Sequence, residues 1–187
     1  MPPSTTDPLD RIIAAVHAAP GRPPMTTKVI AVDGPGGAGK STLASRLSAA
    51  LGHAVVIHTD DFASWDTPLE WWPRLLAQVL EPLSRNEPAR WQRYDWDTRL
   101  LAEWHETPQA PFLILEGVSS SREAFRSYLS YAIWVETPRD ERLRRGLERD
   151  GPEALPLWQR WMADEDTYID REHPADHADI IISGMKN

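Results

Sequence analysis

Gly34-Pro35-Gly36-Gly37-Ala38-Gly39-Lys40-Ser41-Thr42 is the stretch whose reading decides the fold. It matches G-x-x-x-x-G-K-[ST] in full. Before it runs Lys28-Val29-Ile30-Ala31-Val32-Asp33, which reads as a buried strand, and after it Leu43, Leu47 and Leu51 keep a helical spacing. Glycines let the backbone curl until successive N–H groups point inward, and the following helix adds its positive end. Gly34, Gly36, Gly37, Ala38, Gly39, Lys40, Ser41 and Thr42 are therefore expected to cradle the phosphates of a nucleotide. Lys40 is expected to reach the β- and γ-phosphates, and Ser41 to offer its hydroxyl to Mg²⁺. A glycine-rich turn that matches by chance is the alternative, and the strand and helix flanks weigh against it.

The remaining chain alternates in the same way. Apolar runs of strand length fall at 54–58, 112–116, 132–135 and 179–183. Helical spacing fills the gaps: Trp72, Leu75, Leu76, Val79 and Leu80; Leu143 and Leu147 after Thr137 and Pro138; then Trp158, Trp161 and Met162. Strands alternating with helices predict an α/β fold with a mostly parallel sheet covered on both faces. Residues 7–19 carry Leu9, Ile12, Ile13 and Val16 at helical spacing, with Pro8 suited to a first turn and Gly21-Arg22-Pro23-Pro24 as a break. Residues 1–24 are thus expected to be a helix and linker packed on a domain spanning 25–187.

The totals narrow the partners. A length of 187 residues suits one domain. A net charge of −8 argues against a nucleic-acid binder, which would carry a basic face. The absence of cysteine excludes disulfides, thiolate chemistry and cysteine-ligated zinc. No run of 18 apolar residues predicts a membrane span, and the start, with Asp7 and Asp10 and no basic segment, does not read as a secretory signal. A cytoplasmic setting is expected, with the oligomeric state left open.

A guanine-reading Asn-Lys-x-Asp sequence is missing, since the only asparagines are Asn86 and Asn187, and so is a transporter's Leu-Ser-Gly-Gly loop. A compact kinase with an acceptor pocket and a basic lid remains. The second apolar strand ends in His58-Thr59-Asp60-Asp61-Phe62, and strand ends line the ligand crevice in such sheets. Asp60 and Asp61 there suit Mg²⁺ and proton transfer from a hydroxyl acceptor better than the alternative, a pair of loop acids capping the next helix. Phe112-Leu113-Ile114-Leu115-Glu116 places a carboxylate at the end of a buried strand, near any metal held by Ser41. Arg139, Arg142, Arg144, Arg145 and Arg149 crowd one helix; most suit a solvated face, and one or two suit a transferring phosphate.

These pieces together resemble the uridine kinase and phosphoribulokinase-like group of P-loop kinases, which includes nicotinamide riboside kinases and bacterial pantothenate kinases. The resemblance runs from Lys28 to about Gly184 and rests on the glycine-rich loop, Thr59-Asp60-Asp61-Phe62, Leu115-Glu116-Gly117, Glu141-Arg142-Leu143-Arg144-Arg145 with Arg149-Asp150, and Ala178-Asp179-Ile180-Ile181-Ile182. It implies a P-loop NTPase fold like that of nucleoside monophosphate kinases, with five parallel strands and the P-loop strand central. It implies Asp60 as general base, Glu116 on Mg²⁺, and Arg145 and Arg149 as lid cations over the γ-phosphate. An acceptor pocket over about 62–110 and a lid over about 138–155 follow from the same likeness. Tyr94-Asp95-Trp96 is similar to the Tyr-Asp-Phe of nucleoside kinases, which implies Tyr94 in the base pocket, with Trp96 beside it; the histidine of that group is not present, its spacing falling near Thr98 or Arg99. The ribose-holding acid has no counterpart; Asp66 and Glu70 are displaced candidates. Of Trp65, Trp71, Trp72, Trp91, Trp96 and Trp104, most are expected to be core and Trp96 to line the pocket.

The expected activity is transfer of the γ-phosphate of ATP, with Mg²⁺, to a hydroxyl of a small molecule, a nucleoside or nucleoside-like compound first. A pantothenate, sugar or natural-product acceptor is the alternative, as is a nucleotide-binding regulator without kinase activity.

Overall fold

The computed structural model describes residues 7–64 and 67–185. Trp65 and Asp66, two of the sequence candidates, lie outside the described residues.

Strand β1 (Lys28–Asp33) is buried at every position after Lys28, because it has a parallel neighbour on each side. Those neighbours are β5 (Phe112–Glu116) and β6 (Leu129–Glu136). Beyond them lie β2 (Val55–His58) and β7 (Ile180–Ser183), giving the order β2-β5-β1-β6-β7, parallel throughout. The P-loop strand is central, as expected. Strand β6 starts earlier than its apolar run, since Leu129 still pairs with Val29.

The two-residue period of β1 divides the core. Ile30 and Val32 face α2 (Lys40–Ala50) and α1 (Pro8–Ala18), packing with Leu47, Ile12 and Val16. Val29 and Ala31 face the opposite way, onto Leu75, Val79, Leu80 and Leu83. These four come from one continuous helical stretch: α3 (Trp72–Leu75), a π-helical turn (Leu76–Leu80) and α4 (Glu81–Ser84). Helix α1 begins where Asp7 accepts the Leu9 N–H at 2.9 Å, a side-chain N-cap with Pro8 in the first turn.

The span between α4 and β5 differs from the helical filling that the sequence suggests. It forms an antiparallel hairpin, β3 (Ala89–Asp95) and β4 (Leu100–Thr107), separate from the main sheet. Ala89, Trp91 and Tyr94 bury one side of β3, with a register shift between Gln92 and Tyr94 that breaks the simple alternation. Two helices, α5 (Arg139–Asp150) and α6 (Leu155–Glu172), connect β6 to β7. Among the described residues no helix is long and apolar enough to cross a membrane.

Candidate active site

The glycine-rich loop is anchored at its first residue by Asp33. This fully buried carboxylate accepts from Gly34 N (2.7 Å), Ser119 N (2.9 Å), Ser121 N (2.9 Å), Ser121 Oγ (2.7 Å) and Tyr168 Oη (2.7 Å). Burial pushes its pKa up while the donors pull it down. The loop is also tight against its neighbours. A Cβ at Gly34 would lie 2.3 Å from Val135 O, and one at Gly37 2.8 Å from Arg142 O; both residues have positive φ. Only glycine meets both demands. At the tip, Gly36 N–H donates to Glu165 Oε1 at 2.7 Å. Arg142 Nη1 donates to Glu165 Oε2 at 3.2 Å, both side chains being buried, and Arg142 Nε bonds Thr137 O. The two helices after β6 thereby brace the loop.

The loop opens on a cleft of about 240 Å³. Lys40, Ser41, Asp60 and Glu116 all line it. Lys40 Nζ donates to Pro35 O at 3.0 Å. Glu116 Oε1 accepts from Ser41 Oγ at 3.2 Å, and Glu116 Oε2 is bonded to His58 Nδ1 at 2.6 Å. Burial raises the Glu116 pKa, but His58, Lys40 and Ser41 outweigh it and hold the group below the ordinary range. The same Glu116 bond raises the His58 pKa, against partial burial. Asp60 is an exposed residue that lines the cleft; desolvation of its carboxylate raises its pKa, and Lys40 acts in the other direction.

Trp96 stands beside Asp60, its Nε1 donating to Asp60 O at 3.1 Å. Arg149 also lines the cleft, paired with Asp150 and with its guanidinium 5.7 Å from the Trp158 ring centre. Four sequence candidates stand elsewhere. Tyr94 and Arg99 line a neighbouring depression with Phe62, Trp71 and Arg74, because the hairpin carries them past Trp96. Asp61 is not among the cleft-lining residues: burial raises its pKa, His58 and Trp91 and then His105 and Arg93 act against that, and its carbonyl accepts from Arg74. Arg145 is outside the cleft: its Nε bonds Glu141 at 2.7 Å, and its Nη1 bonds Gly37 O and Gly184 O, each at 3.2 Å. In this structure the Arg145 guanidinium therefore donates to the Glu141 carboxylate and to the Gly37 and Gly184 carbonyls rather than into the cleft. Trp71 and Trp91 are core, as the composition argument expects, and Trp104 is exposed. Glu70 is exposed and pairs with Arg171.

Sequence reasoning did not single out Asp33, Arg142, Glu165, or the site positions of Trp158 and Trp161. The last two line the cleft. Their signal was present as a stripe at i, i+3 and i+7, Trp158, Trp161 and Glu165, which puts two indoles and an acid on one helical face.

A family model described as an AAA domain matches residues 30–170. The chain belongs to the AAA-domain family. This AAA domain is also similar in sequence to a uridine kinase of Borrelia duttonii (strain Ly), 26% identical over 138 residues that make up 66% of this chain and 67% of the relative. In structure it is similar to a possible uridine kinase from Bacillus stearothermophilus, with a TM-score of 0.68, 21% identity, and coverage of 94% of this chain and 97% of that one. A shikimate kinase from Acinetobacter baumannii in complex with shikimate gives a TM-score of 0.52 at 17% identity, covering 87% of each chain; both structures speak to the fold alone. With the sequence likeness, the AAA domain is a uridine kinase-like P-loop kinase of small molecules.

Proposed function

We propose that this AAA-domain kinase transfers the γ-phosphate of ATP to a hydroxyl of a nucleoside or nucleoside-like small molecule, with Mg²⁺. The observation that carries the reading is one cleft holding Lys40, Ser41, Asp60 and Glu116 together. Phosphoryl transfer needs positioning and charge stabilisation more than covalent chemistry, and these four groups supply both. The donor set suits Mg²⁺: Ser41 Oγ and Glu116 are hard oxygen ligands already 3.2 Å apart, with Asp60 in the same cleft. Among the described residues no three of His, Cys, Asp and Glu gather into a metal cage, which fits an ion that takes phosphate oxygens as its other ligands. Held by Ser41 and Glu116, Mg²⁺ would offset negative charge on the β- and γ-phosphates.

The side chains then divide the work. Lys40 holds the outer phosphates. Asp60 accepts the hydroxyl proton, its raised pKa making it a stronger base and Lys40 favouring its ionised form. Arg149, in the same cleft lining, supplies a cation to the transferring group. Trp96, Trp158 and Trp161 give flat apolar walls suited to a ring-bearing acceptor, and the uridine kinase relatives point to a nucleoside.

The test is a panel of nucleosides, sugars and pantothenate, each incubated with Mg-ATP and the full chain, with the phosphorylated product weighed by mass spectrometry. A nucleoside 5′-phosphate is the expected product. A product from the sugars or pantothenate alone would move the acceptor class, and ADP release without any phosphorylated acceptor would remove the kinase reading.

A further inference from the structure

The triphosphate has two ends, and the cleft beside Asp60 accounts for one. A γ-phosphate bound there would leave the loop's far flank, at Gly39 and Thr42, for the rest of the nucleotide. Those two residues line a separate groove of about 680 Å³ on the far flank of the loop. Its other walls are the end of β7, with Ile181, Gly184 and Met185, and the first turns of α1, with Pro8 and Leu9. Helix α1 precedes residue 30, where the AAA-domain match begins.

Resting on the nucleotide reading above, we propose that α1 forms one wall of the site for the base of the phosphate donor. Three observations converge on it. The groove is continuous with the phosphate loop through Gly39 and Thr42. Its surface is mainly apolar, from Pro8, Leu9, Ile181 and Met185, which suits a flat ring whose edges stay near polar groups. And the start of α1 is tied down: Asp7 caps the helix through Leu9 N and pairs with Arg46 of α2 at 3.3 Å, while Ile12 and Val16 are buried in the β1 core. Arg145 bonds Gly37 O and Gly184 O and lies 3.9 Å from the Met185 sulfur, next to two residues of the groove wall, Gly184 and Met185. The helix outside the matched domain thereby becomes a determinant of which nucleotide serves as donor.

Photolabelling of the full chain with 2-azido-ATP, followed by peptide mapping, tests this without any substitution. Label within residues 7–12, suppressed by excess ATP, is expected. ATP-suppressible label confined to other segments would overturn the proposal. In parallel, Leu9→Ala trims the wall and is expected to weaken ATP about three- to tenfold while leaving the affinity for inorganic tripolyphosphate unchanged. Equal weakening of both ligands, or of neither, would contradict a base-side role. Failure of tripolyphosphate to bind even the unaltered chain would instead bring down the phosphate-loop reading, a separate outcome.

Discussion

At the glycine-rich loop, backbone geometry dictates the residues; on the Trp96 side of the cleft, proposed as the acceptor end, a side chain carried by the hairpin segment shapes the wall. Gly34 and Gly37 are dictated by backbone geometry, since any Cβ would strike Val135 or Arg142 main-chain atoms. Trp96, by contrast, is placed by side-chain contacts, among them the hydrogen bond to Asp60 O and edge-on packing against the Tyr94 ring at 5.4 Å, and by the path of a hairpin that does not join the main sheet. The first kind of site is written in a short contiguous motif. The second depends on how a distant segment folds back, and its residue types are those of ordinary core and surface.

The contrast breaks most easily at Lys40. Lys40→Ala removes the ammonium that lines the proposed phosphate end and should lower turnover about a hundred- to a thousandfold, with weaker ATP binding, in a steady-state assay. Retained turnover would mean that main-chain amides alone suffice. The next effect is on stability. Glu165→Ala leaves Arg142 buried without its partner and Gly36 N without its acceptor, and should cost about 3 kcal/mol in denaturant unfolding. A loss below about 1 kcal/mol would show that α6 does not brace the loop. The smallest effect sharpens the acceptor end. Trp96→Ala should raise the acceptor KM about tenfold and leave the ATP KM alone, whereas Tyr94→Phe, altered only in the neighbouring depression, should change the acceptor KM less than about threefold. Equal effects would merge the two cavities into one acceptor site.

Much of the fold was legible because its central elements are locally consistent. Strand β1, the glycine loop and α2 follow one another with the right period and the right breakers, and the paired acids at 60 and 116 fall at strand ends where topology brings them together. The hairpin over 89–107 was not legible. Its tryptophans and charges mix buried and exposed positions, and the register shift near Arg93 disrupts the two-residue alternation. Glu165 and Asp33 escaped for a different reason: a buried carboxylate is identified by donors brought from far along the chain, Gly36 in one case and Ser119, Ser121 and Tyr168 in the other. The arginine helix shows the same limit. Five arginines at helical spacing do not reveal that Arg149 reaches the cleft while Arg145 is held by Gly184.

Asp60→Asn, followed in a single turnover with labelled ATP and a saturating acceptor, meets the central claim head-on. ATP affinity should stay within about threefold of the unaltered chain, while transfer slows by about a hundredfold or more. The unaltered enzyme should lose rate as pH falls through the Asp60 pKa, at a pH above the ordinary aspartate range because burial raises that value, and the variant should lack this acid limb. Transfer at the normal rate in Asp60→Asn, with the same acid limb, would contradict the account.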